Sequence, residues 1–93
     1  MNVFQGKTVY GGSWQVVDSR KFDEEEQAMV KRAEVVASEY GNSVCFFMHE
    51  GGQIYIPLSN QSSLKPGDTV DVAQAKILTL HRDGNADIER IDI

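Results

Sequence analysis

Cysteine, proline, histidine and basic residues are all scarce in these 93 residues, and each shortage removes a class of protein. The lone cysteine, Cys45, cannot form an intrachain disulfide, which suits a reducing compartment. Its strand neighbours make it a small buried hydrophobe rather than a nucleophile. The two histidines, His49 and His81, stand apart, and neither His-x-x-x-His nor Cys-x-x-Cys spacing occurs, so no metal site is expected. No window approaches the ~18 apolar residues of a membrane span. Met-Asn-Val-Phe-Gln-Gly-Lys at the start lacks a basic region followed by a long apolar run, so no secretory leader is expected and the predicted location is cytoplasmic.

Nine Lys and Arg face fourteen Asp and Glu, a net charge of −5. The balance is uneven. The only net-basic stretch is the first 22 residues, where Lys7, Arg20 and Lys21 oppose Asp18 alone. Residues 23–40 and 41–93 are both acidic. Phosphate neutralisation by Lys and Arg supplies most non-specific affinity for nucleic acid, so this balance weighs against such binding.

What remains is ordinary for one small globular domain, with 41% hydrophobic and 25% charged residues. The core at this size is thin and the folding margin is about 5 kcal/mol, so a partner or a second copy matters.

The richest stretch is Ser43 to Ser59, where two apolar runs meet at Gly51-Gly52. In a strand, Val44, Phe46 and Met48 point one way and Cys45, Phe47 and His49 the other. A hairpin this apolar needs cover on one face and most of the other. Val3 to Tyr10, Gly11-Gly12-Ser13 and Trp14 to Val17 read as an earlier hairpin. Asp23-Glu24-Glu25-Glu26 is a capping box that starts a helix at about Glu24.

Two endings fit that helix. Carried to Tyr40, it places Met29, Val30, Ala33, Val36, Ala37 and Tyr40 on one arc, with Gly41 as the C-cap. Ended near Arg32, it releases Glu34 to Tyr40 as a strand that runs through a bulge at Gly41-Asn42 into Val44. Downstream, Lys65-Pro66-Gly67-Asp68 is a type II turn, Thr69 to Val72 and Ala75 to His81 read as strands, and Asp83-Gly84 turns the chain into a last strand ending at Ile93. The predicted fold is α+β and mainly antiparallel β. It is a small barrel or a strongly twisted sheet, with one helix over 24–32 or 24–40.

Catalytic groups are few. Glu24-Glu25-Glu26 reads as a solvated helical turn, neither glycine pair has the context of a phosphate loop, and no serine sits in an elbow motif. Neither an enzyme nor a cofactor is expected. Aromatics and bases make a better case, because single-strand binders stack bases on aromatic faces and follow the backbone with cations. Tyr10, Trp14 and Tyr55 are the candidate stacking residues, and Lys7, Arg20 and Lys21 the candidate phosphate contacts. Tyr40, Phe47, Lys31 and Arg32 belong to the same set of aromatics and bases.

Glu34 to Phe46, with Gly41 inside it, resembles the bent first strand of an OB-fold. The runs Tyr55-Ile56-Pro57-Leu58-Ser59, Leu64 to Asp68 and Ile77 to Leu80 are similar to small uncharacterised proteins of gut bacteria and their phages. The first resemblance implies an OB-like barrel that binds single-stranded DNA. The second implies a phage or mobile-element accessory protein, located in the host cytoplasm or the virion. Two expectations follow for a non-enzymatic binding module. One is single-stranded DNA binding through the aromatic and basic residues named above. The other is a protein-interaction module, a virion accessory or an inhibitor of a host protein, that also forms a homo-oligomer. It would use an acidic helix face (Glu25, Glu34, Glu39) or the edge strand Ala86–Ile93.

Overall fold

Alternation of apolar residues, rather than helix propensity, decides most of this chain. A computed structural model describes residues 9–10, 13–39 and 41–93, with the side chains of Val9 and Tyr10 outside that description. The elements are β1 (Val9–Tyr10), β2 (Trp14–Lys21), α1 (Glu24–Met29), β3 (Val30–Ser38), β4 (Gly41–Met48), β5 (Gln53–Pro57), β6 (Lys76–His81) and β7 (Ile88–Asp92). They form a four-stranded sheet in the order β1-β2-β6-β7 and a three-stranded sheet in the order β3-β4-β5. Every ladder is antiparallel.

The helix is shorter than either predicted length. Its capping box is complete: the Glu26 N–H donates to Asp23 Oδ1 at 2.7 Å, and the Asp23 N–H donates to Glu26 Oε1 at 3.0 Å. None of its six residues is buried, so beyond the cap it has little to hold it together. From Val30 onward the chain gains more as a strand, burying Ala33 and Val35 and pairing along β4 from Val30–Met48 to Ser38–Gly41. This corrects both the 24–32 and the 24–40 helix, and it removes Glu34 and Glu39 from any helix face. The expected bulge at Gly41-Asn42 is also replaced. The chain reverses before Gly41, which takes φ +115°, and β3 and β4 lie side by side instead of forming one bent strand. Tyr40 lies outside the described residues.

The 43–58 hairpin forms as expected around Gly51 and Gly52, both at positive φ. The turn at Lys65 also forms, with the Asp68 N–H donating to Lys65 O at 3.0 Å. Thr69 to Val72 is not a strand. Its backbone covers the outer edge of β3 through Val35 N–H to Asp68 O and Val70 N–H to Ala33 O, at 2.8 and 2.9 Å. It then enters a 3-10 turn over Val72–Gln74 that Asp71 caps.

The sheets pack face to face over Ala33, Val35, Val44, Phe46, Leu58, Val70, Ala75, Ile77 and Ile91. The opposite face of the four-stranded sheet buries a second cluster of Val16, Leu78 and Leu80, with Trp14 and Ile88 packed on it. No closed barrel forms among the described residues. The sheets meet along one seam at an isolated parallel bridge between Leu58 and Ile91, where the Ser59 N–H donates to Ile91 O at 2.7 Å.

Leu80→Ala, which empties a fully buried position, is expected to cost about 3 kcal/mol in chemical denaturation. Ile93→Ala, at an exposed position, is expected to change stability by less than about 0.5 kcal/mol. A Leu80→Ala loss no larger than about 0.5 kcal/mol would mean that the second cluster contributes no packing energy.

Candidate binding groove

Where the sheets diverge from the Leu58–Ile91 bridge, an apolar groove of about 230 Å³ opens between them. Phe22, Met29, Val30, Phe46, Met48, Ile54, Ile56 and Ile77 line it, and Arg20, Glu26 and Glu89 form its polar margin. Each wall has a local cause. Phe46 and Met48 point inward on β4 with Val44, and their β5 partners follow the same parity, so Ile54 and Ile56 also face inward. Phe22 packs its ring on Phe46 at 5.6 Å. Met29 comes from the last helical position before the switch to strand.

The walls are not fully covered. Ile54 is 49% and Met29 48% exposed, and on the other face of β5 Tyr55 is 57% exposed. The β5 half of the hairpin therefore lacks the cover its apolar sequence predicts. Burying such surface is worth about 25 cal/mol per Å² to any partner that supplies the missing side.

A two-pronged ion pair holds the margin. Arg20 donates from both terminal nitrogens to Glu26, at 2.8 and 3.0 Å. These bonds, with the Asp23 N–H, hold the Glu26 carboxyl at a pKa of about 2. Glu89 adds a further negative charge near Arg20.

A second recess, about 600 Å³, lies along the same seam and is lined by Tyr55, Ile56, Pro57, Thr79, Asp87, Ile88 and Glu89. A third, about 540 Å³, lies beside the β4–β5 turn and involves Lys31, Phe47, Met48, Gln53 and Tyr55. The Arg32 guanidinium sits 3.7 Å from the centre of the Phe47 ring.

The residues singled out by sequence are dispersed. Lys7 lies outside the described residues. Tyr10 pairs with Trp14 across the β1–β2 ladder, but its side chain is outside the description. Trp14 is partly buried against the second cluster, and the Arg82 guanidinium lies 5.8 Å from its ring. Arg20 is engaged by Glu26, and Lys21 is exposed at the far end of β2, roughly 20 Å from Trp14 at the strand rise of ~3.3 Å per residue. Tyr55 is on the other sheet. The groove went unnoticed because seven elements contribute residues to it. The one local signal is Ile54-Tyr55-Ile56, apolar on both faces of an edge strand.

The described residues contain no cluster of three or more His, Cys, Asp or Glu side chains that could hold a metal ion. Among them, no helix is long and apolar enough to cross a membrane. Cys45 is a buried free thiol.

Against models of known families, curated proteins and solved structures, the chain matches nothing.

Away from the groove, His81 lies between Asp87 and Asp83, at 2.8 Å from Nδ1 and 3.3 Å from Nε2. Hydrogen bonds first to Asp87 and then to Asp83 raise its pKa above the ordinary 6.5. The stabilisation is fully present below the unfolded value and is lost as pH rises through the folded one. NMR titration is expected to place His81 above 6.5, with Asp87→Asn moving it back down. A midpoint indifferent to Asp87→Asn would remove that carboxylate as the cause.

Proposed function

We propose that this protein is a non-enzymatic binding module that engages a protein partner through the groove between its sheets. One observation carries the reading: an apolar cleft left open to solvent, with half-exposed Ile54 and Met29 in its wall. In a small domain with little core to spare, solvent-exposed apolar side chains gathered at one place are best explained by a partner that covers them. The acidic balance supports a protein with a basic contact surface over a phosphate backbone. A role as a phage or mobile-element accessory, with the partner on a host protein, a virion or a second copy, is compatible with this use of the groove.

Single-stranded DNA binding is the second reading, and a specific observation favours it. The recess beside the β4–β5 turn combines the cation of Lys31 with Phe47 and the exposed ring of Tyr55. This is the stacking-plus-cation pairing that sequence-tolerant single-strand binders use. On this reading Tyr55 keeps its stacking role, while Lys31 takes the phosphate-contacting role assigned to Lys7, Arg20 and Lys21. The OB-like barrel implied by resemblance is not needed for it.

Two titrations separate the readings. A hydrophobic fluorescent dye, anilinonaphthalene sulfonate, is expected to bind the folded protein, with Ile54→Asp weakening it about tenfold or more at unchanged circular dichroism. Oligo-dT is expected to leave the dye signal and the fluorescence of Trp14 unchanged at low salt. Salt-reversible binding of oligo-dT that Tyr55→Ala abolishes would instead select the DNA reading.

A further inference from the structure

The groove is bounded on one side by a strand edge whose hydrogen-bonding groups can be assigned from the ladder. Flanking β5, Gly52 O accepts from the Met48 N–H, and the Leu58 N–H donates to Asn42 O, so these two residues direct those peptide groups toward β4. Antiparallel pairing alternates, so Ile54 and Ile56 also face β4, while Gln53, Tyr55 and Pro57 turn their peptide groups away from it. Ser59, next in the alternation, follows the rule: its N–H leaves β4 and bonds Ile91 O on β7. No further bridge joins β5 to β7 among the described residues. The edge therefore offers the N–H and C=O of Gln53 and the N–H and C=O of Tyr55 to the seam.

Exposed edges in monomeric proteins are usually blunted by charge, a bulge or proline. Gln53 to Pro57 carries no charge, its pairing with β4 is regular, and its proline stands at the outward position where an edge tolerates one. The neighbouring recesses are arranged for alternating side chains. The apolar groove, with Ile54 and Ile56, lies on one side of this edge, and Tyr55 with the second recess on the other. Of the charged groups along the seam, Glu26 is paired with Arg20, Asp87 with His81, and the Arg90 guanidinium donates to Leu58 O, which leaves the Glu89 carboxylate open to a partner.

We propose that the Gln53–Pro57 edge receives an extended, lysine- or arginine-bearing segment of a partner protein as an added strand, its apolar side chains entering the groove. This rests on the groove reading above and names the form of its occupant. Main-chain hydrogen bonds to Gln53 and Tyr55 supply affinity, alternate apolar side chains fill the groove, and Glu89, in a chain of net charge −5, selects basic residues. A second copy of this chain is disfavoured as occupant, because pairing two molecules of charge −5 brings like charges together.

The probe is a seven-residue peptide of alternating valine and lysine, capped at both ends, titrated against the full chain. Two further peptides are N-methylated on only the valine or only the lysine amides, and a fourth carries glutamate for lysine. Methylation in one register is expected to weaken binding about tenfold or more, and in the other to leave it within about twofold. The glutamate peptide is expected to bind at least about tenfold more weakly at low salt. Equal effects in both methylation registers would overturn strand addition. So would failure of the valine-lysine peptide to bind while the dye still binds in an Ile54-dependent way, an outcome that leaves the groove reading intact. Loss of Ile54-dependent dye binding would remove both. Light scattering that reports a dimer with the Gln53 and Tyr55 amides protected from exchange would assign the edge to a second copy and overturn the proposal.

Discussion

Ile91 is the residue through which the two sheets are held as one body. It pairs with Ile77 inside the four-stranded sheet, bridges Leu58 at the end of the three-stranded one, and accepts the Ser59 N–H. Its side chain is fully buried in the shared core. Backbone pairing and side-chain burial therefore coincide at one position. The seam is closed there, and away from it the sheets diverge under their own twist. The groove is the consequence. Its inner end is the core around Ile77 and Phe46, and its outer end is wherever β5 and β7 no longer reach each other.

That constraint also explains why the walls stay apolar although they are half exposed. Ile54 and Ile56 must alternate in phase with β4, because a one-residue slip would turn Val44 and Phe46 out of the core. Met29 is fixed by the capping box behind it and by the strand ahead of it, where its carbonyl accepts the His49 N–H at 3.0 Å. The Arg20–Glu26 pair ties the start of the helix to β2, so the two sides of the margin are held apart at a set spacing. An exposed ion pair of this kind contributes little to overall stability. Its effect is positional, since Glu26 serves the helix cap and the groove margin at once.

Local signals in the sequence carried most of the elements. The Gly51-Gly52 pair, the proline-glycine turn, the capping box and the alternation around Val44 to Met48 each act over a few residues, and each holds in the structure. Glu34 to Ser38 was ambiguous for a physical reason. Val30, Ala33, Val36 and Ala37 satisfy a helical arc as well as Ala33 and Val35 satisfy a strand. The choice is made by β4, a partner contiguous in sequence but only available once the chain has reversed before Gly41. The Thr69–Val72 segment misled for the opposite reason: its composition suits a strand, but only the bridge from Thr69 to Glu34 forms before Asp71 caps the next turn. The groove was the least legible feature, because neither side of it is defined until distant segments meet.

The aromatic and basic residues show why residue type alone is a weak guide to a surface. Trp14 and Tyr55 look equivalent in sequence, each beside a strand and near a glycine turn. Trp14 follows the parity of Val16 and is drawn onto the second cluster, whereas Tyr55 falls on the uncovered face of β5. Arg20 and Lys21 are likewise adjacent, yet opposite parity gives Arg20 the Glu26 carboxylate and leaves Lys21 in solvent. A single alternation, fixed by the core, thus sorts the described candidates, Trp14, Arg20, Lys21 and Tyr55, into structural or available. What it leaves available along the seam is an uncharged strand edge with the Glu89 carboxylate beside it. On the strand-addition proposal, that combination is what would select a partner bringing its own backbone and its own positive charge.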